Sequence, residues 1–165
     1  MVKLTIRDIL QMKSLIHPST LFRHLINLYP PYLFTGIKVS SISRDFQHLQ
    51  VDMKLTWYNR NYVGTHFGGS LFAMTDPWFM LMLMQILGKD YLVWDSKAAI
   101  DFIKPGKGKV SCHFNISEEM LTDIKQKTQS GNKFTPEYEV HILDQDGELV
   151  ARVKKEIYIR KKKNS

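Results

Sequence analysis

Between Gly68 and Leu87 the chain places apolar side chains at almost every turn: Leu71, Phe72, Met74, Trp78, Phe79, Leu81, Met82, Leu83 and Ile86. A helix that is apolar on all faces has to be buried on several sides, so the rest of the chain must build a layer around it. Gly68-Gly69 open the run and Gly88 closes it, as a residue just past a helix end commonly does. Asp76-Pro77 interrupt it. Proline lacks the N–H that a helix interior needs and its ring clashes with the preceding turn, so a bend or irregular turn is expected near Asp76. The uninterrupted apolar stretch, Pro77 to Met84, falls far short of the ~20 residues that a spanning helix requires, and no membrane insertion is expected.

The flanking segments supply that layer. Leu49, Val51, Met53 and Leu55 alternate with Gln50, Asp52 and Lys54, a half-buried strand pattern. A strand from about Leu33 to Ser43 precedes it, with Ser43-Arg44-Asp45 as the turn. In the second half Trp94, Ser96, Ala98, Ile100 and Phe102 line one face of a strand. Val110, Cys112, Phe114 and Ile116 line another, and Tyr138, Val140 and Ile142 a third. In the last strand Leu149, Ala151, Val153, Ile157 and Ile159 share a face broken only by Lys155. Pro105-Gly106 and Asp146-Gly147 are turn chemistry. Ser117, followed by Glu118 and Glu119, caps a surface helix reaching about Ser130. Near the start, Ser19 or Thr20 caps a helix carrying Leu21, Phe22, Leu25, Ile26 and Leu28, which Pro30-Pro31 stop. The expected architecture is α+β: an antiparallel sheet of about six strands wrapped around a long central helix.

With 165 residues the chain suits one domain. It divides into a lead segment (1–17), the domain (18–161) and a basic tail (162–165). The single cysteine, Cys112, excludes an intrachain disulfide and fits a reducing compartment. No Cys/His spacing suits a zinc site, and neither a metal nor a cofactor is expected. Charges break the segment Met1 to Asp8 and no apolar core with a cleavage site follows, which reads as a cytoplasmic protein. The formal charge of +7 is concentrated in Arg160-Lys161-Lys162-Lys163 and between Lys104 and Lys109. Such a surface attracts phosphates. No aromatic stacking motif is interleaved with it, so nucleic acid is not an expected partner.

The chemistry-bearing residues gather at the start of the apolar run. A helix start carries free N–H groups able to hold a polarised carbonyl oxygen, and glycine lets another molecule come close to that backbone. Asp76 follows Gly69 by seven residues, close to two helical turns. An electrophile-stabilising backbone and a carboxylate on one side of a helix suggest acyl chemistry. The alternative for each is structural: Asp76 as a satisfied helix-end acid, the glycines as close-packing residues, Asn61 or Asn59 as a loop-ordering amide, His66 as a loop or interface residue.

The order of elements, with Asn61, then Phe67-Gly68-Gly69, then Asp76, resembles the hotdog fold and within it the phenylacetyl-CoA thioesterase branch. That branch carries Asn-Gly-His, His-Gly-Gly and an aspartate at these spacings. Ala98-Ala99-Ile100-Asp101-Phe102-Ile103-Lys104-Pro105-Gly106 is similar to that branch's strand ending in Asp-Phe-Leu-Arg-Pro-Gly. Thr65 to Leu83, with its Asp-Pro pair, also resembles a bacterial hotdog family described as tetrameric acyl-CoA thioesterases or as a domain of unknown function. Two departures stand out: Phe67 occupies the histidine position, with His66 one residue earlier, and Tyr62-Val63 replace Gly-His.

The resemblance implies an acyl-CoA thioesterase acting as a homodimer or homotetramer. The Gly68 N–H would polarise the thioester carbonyl, Asp76 of the adjoining subunit would act as base or nucleophile, and Asn61 would orient water or the acyl group. Gly69, His66 and Phe67 would line the substrate site. From the charge pattern, Lys104, with Lys107 and Lys109, would meet coenzyme A phosphates, and a solvated turn explains these lysines equally well. The alternative is a non-catalytic acyl-CoA binding protein on the same fold.

Overall fold

A computed structural model describes residues 17–162. Apart from His17 and Lys162, the expected lead segment and basic tail lie outside them. Helix α1 (Pro18–Ile26) and a short α2 (Pro30–Leu33) precede strands β1 (Ile37–Ile42) and β2 (His48–Lys54). Helices α3 (Gly68–Ala73) and α4 (Trp78–Leu87) follow, then β3 (Tyr91–Phe102), β4 (Lys109–Asn115) and α5 (Glu118–Thr128). The chain ends on β5 (Lys133–Phe134), β6 (Glu137–Asp144) and β7 (Leu149–Lys161).

The strands form one sheet in the order β1-β2-β4-β6-β7-β3, with β5 as a seventh, two-residue strand beside β7. Every pairing is antiparallel. Alternation works as expected in β2, β4 and β7, whose inward rows are Leu49, Val51 and Met53, then Val110, Cys112 and Phe114, then Val153, Ile157 and Ile159. Across that face lies α4, contributing Trp78, Phe79, Met82 and Leu83 to the same core. Phe79 sets its ring edge-on to Phe114 at 5.1 Å. By length and composition the stretch 68–87 could cross a membrane. Here it is two helices, parted at Asp76-Pro77 as proline chemistry requires.

Three expectations need correction. First, α1 begins at Pro18, capped by His17, whose Nδ1 accepts the Ser19 N–H at 3.3 Å. Neither Ser19 nor Thr20 is the cap, because proline suits the first helical position. Second, α1 already ends at Ile26 with Asn27 as its cap, and Pro30-Pro31 open α2 instead of stopping α1. Third, β3 does not keep one face. A bulge between Asp95 and Lys97 adds a residue against β7: Asp95 pairs with Ile157, but Lys97 pairs with Glu156. A bulge exchanges the faces of a strand. Val93 and Asp95 therefore point inward with Ile157, as do Ala98 and Ile100 beyond it, while Trp94 turns outward and stacks on Tyr158 at 3.9 Å.

Candidate active site

The loop from Asn59 to Phe67 is tied down by its own amides. Asn59 is 5% exposed; its Oδ1 accepts the Thr56 N–H, and its Nδ2 donates to the carbonyls of Thr35 and Lys54. Asn61 uses Oδ1 for the N–H groups of Val63 and Thr65 and Nδ2 for the Thr65 hydroxyl and the His66 carbonyl. Both asparagines thus act on the loop, leaving Asn61 little free capacity toward a ligand.

His66 staples this loop to the β3–β4 connection. Its N–H donates to the Gly106 carbonyl at 3.0 Å, and its Nε2 lies 3.1 Å from the Gly108 carbonyl. A carbonyl only accepts, so Nε2 carries the proton and the buried Nδ1 is left as an acceptor with no partner among the described residues. Burial holds the imidazole below its usual pKa, so the ring is neutral at pH 7.

The Gly68 and Gly69 amides have no hydrogen-bond acceptor among the described residues. Aromatic rings occupy the space where their side chains would be. A Cβ on Gly68 would sit 3.0 Å from the Phe102 ring, and one on Gly69 would overlap the ring of Phe67. Close packing is thus one reason for both glycines. Two cavities flank them. One, of about 390 Å³, is bounded by Asn61, His66, Gly68, Leu71, Phe102 and Ile103. The other, of about 410 Å³, is bounded by Phe34, Tyr58, Arg60, Phe67, Gly69 and Ala73.

Asp76 sits at the break between α3 and α4. Its N–H donates to the Ala73 carbonyl, and its own carbonyl accepts the Tyr32 hydroxyl. Its carboxylate meets a partner that no motif pointed to. Lys155 Nζ lies 2.5 Å from Asp76 Oδ1 and 3.4 Å from Asp95 Oδ1. The lysine side chain is 1% exposed, that of Asp95 18%, and that of Asp76 53%. Burial, only partly offset by Lys155, raises the Asp95 pKa above its usual value, and the neighbouring Asp76 charge adds to this. The signal available in the sequence was Lys155 itself, a cation on an otherwise apolar face, since buried lysines are paired. Asp95 was hidden by the bulge.

Of the three lysines proposed for phosphates, Lys104 pairs with Asp144 at 2.7 Å and Lys109 with Asp52 at 3.0 Å. Lys107 is exposed and has no ion pair among the described residues. No group of His, Cys, Asp and Glu among the described residues is arranged to hold a metal.

Residues 19–159 match the family described as a domain of unknown function, DUF4442. The chain belongs to that family. No curated protein matches it. Its fold is shared with several solved structures. A Pseudomonas aeruginosa protein of unknown function, described as a "probable thioesterase", is 18% identical with a TM-score of 0.76, over 88% of this chain and 97% of that one. A Haemophilus influenzae thioesterase is 13% identical with a TM-score of 0.60, over 97% and 93%. The PaaI protein of E. coli, from the phenylacetic acid degradation operon, is 18% identical with a TM-score of 0.58, over 86% and 91%. At these identities the likeness is one of fold: this DUF4442 chain is a hotdog protein.

Proposed function

We propose that this DUF4442 protein hydrolyses acyl-CoA thioesters at sites shared between two copies of the chain. The reading is supported by one arrangement: two glycines whose amides are unpartnered among the described residues line cavities, while a carboxylate beyond the same helix keeps half its surface accessible. The amides of Gly68 and Gly69 stabilise the negative charge that develops on the thioester oxygen. Asp76 of the adjoining copy, as base, takes a proton from water, whose oxygen attacks the carbonyl carbon. Collapse breaks the carbon–sulfur bond, and the leaving thiolate recovers the proton. As nucleophile, Asp76 would instead attack the carbonyl carbon and expel the coenzyme A thiolate, leaving an anhydride that water opens while the thiolate takes up the water's proton.

The apolar walls around Leu71, Phe102 and Ile103 suit an acyl chain, with His66 and Phe67 at its edges. Coenzyme A phosphates meet Lys107 more readily than Lys104, whose charge Asp144 already answers. A cytoplasmic setting agrees with this substrate and with a buried, unpaired Cys112.

The test is thiol release from a panel of acyl-CoAs. Asp76→Asn should lower kcat by roughly 100- to 10,000-fold, the usual contribution of a positioned acid or base; undiminished turnover refutes the site. Single turnover in 18O-water separates the roles, since label enters Asp76 only if it is the nucleophile. One observation favours the second reading, an acyl-CoA binding protein without turnover. The Phe67 ring lies over Gly69, and Phe67 stands where the phenylacetyl-CoA thioesterase branch that the sequence resembles carries histidine. Tight binding with no thiol release would select it.

A further inference from the structure

We propose that Lys155 is a positioning residue for the Asp76 carboxylate, with Asp95 anchoring the same ammonium from the far side. The inference deepens the thioesterase reading and rests on it for its role in turnover.

Lys155 stands in the inward row of β7 between Val153 and Ile157, both fully buried. Stripping an ammonium of water is costly unless charges and hydrogen bonds replace it. A structural solution would need one buried carboxylate, and Asp95, brought inward by the β3 bulge, is at hand. The ammonium instead makes its shorter contact, 2.5 Å against 3.4 Å, with the more exposed acid. That acid is the one lying on the same apolar run as the unpartnered glycine amides. A buried cation thereby grips an accessible anion by one oxygen, and its second oxygen has no N–H donor among the described residues. The backbone beneath is gripped as well, because the Asp76 carbonyl accepts the Tyr32 hydroxyl. The groups facing the carboxylate are therefore Lys155 from β7, Asp95 from β3 and the Tyr32 hydroxyl from α2, with Tyr29 edge-on behind Tyr32. Held this way, Asp76 keeps an aimed oxygen for the proton of water.

The experiment compares wild type, Lys155→Met and Asp95→Asn as full chains by two readouts. One is the pH profile of kcat and KM. The other is the titration of the Asp76 carboxyl carbon by 13C NMR, assigned with Asp76→Asn, which does not depend on activity. Lys155→Met should lower kcat by about 100-fold, as misplacement of a reacting group does, with KM nearly unchanged. It should also raise the Asp76 midpoint and the acid limb by about one pH unit or more, the usual influence of an adjacent opposite charge. Asp95→Asn should shift both downward, because one like charge is gone. If Lys155→Met does not fold, the Asp95→Asn shift decides. Unmoved Asp76 midpoints overturn the proposal even in an active enzyme. A moved midpoint in a wild-type protein that hydrolyses no acyl-CoA keeps the coupling and removes the thioesterase reading.

Discussion

Asp95 is a carboxyl whose charge the fold tolerates poorly. Burial leads the causes that raise its pKa, ahead of the opposing pull of Lys155. A carboxyl whose folded pKa exceeds its unfolded one favours the folded state when protonated. That advantage is whole below the unfolded value near 4 and is lost as pH rises through the folded value. At neutral pH an ionised Asp95 therefore subtracts from stability. Asp95→Asn should match wild type in thermal melts near pH 3 and exceed it at pH 8, with the gap opening across the carboxylate range. A variant that melts below wild type at pH 8 contradicts this. Legibility at this scale follows covalent spacing. Gly68 and Gly69 open a helix whose start the sequence shows, whereas Asp76 lies past its end at Ala73, so the two-turn spacing no longer relates it to them. The bond from Asp76 to Lys155 spans 79 positions, and its only trace in the sequence is an odd lysine on an apolar face; Asp95 joins them through the bulge in β3.

At the scale of elements, the two edges of the sheet are finished differently. Edge strands invite pairing with another chain unless blunted. On β1 the job falls to α1 and the residue after it: Asn27 Oδ1 accepts the Val39 N–H at 2.7 Å, and its Nδ2 donates to the Val39 carbonyl at 3.0 Å. Arg23 donates to the Ser40 carbonyl. A side-chain amide here substitutes for a strand. Asn27→Ala leaves both Val39 groups without these partners and should cost about 1–3 kcal/mol. A lowered urea midpoint, with light scattering rising as β1 becomes adhesive, is the expected result. Helices α3 and α4 were legible as a single interrupted run because proline has one local meaning. The capping of β1 was not, since Asn27 reads as an ordinary helix-end polar residue until Val39 is placed beside it.

For the whole molecule, the contrast between edges makes β3 the edge along which the proposed pairing of copies would run. Strand β3 is twelve residues long and borders β7 alone. Its bulge and Lys97 guard one point of it. Beyond them Ala98, Ala99 and Ile100 run regularly, small enough at two positions for another backbone to come close, and Leu92, Trp94 and Phe102 stay 40–57% exposed. A second copy laid antiparallel along β3 would continue the sheet, and the proposed chemistry requires that the pairing bring its Asp76 toward the first copy's glycine amides. Neighbouring residues of a strand aim their N–H groups at opposite edges, and this separates folding from assembly with two substitutions. Of Ala98→Pro and Ala99→Pro, the one whose amide faces β7 should destabilise the monomer. The other should leave the melting cooperative, convert the oligomer to monomer in sedimentation, and abolish thiol release together with it. A wild-type chain that sediments as a monomer at micromolar concentration, yet turns over acyl-CoA, would show that the site is complete in one copy.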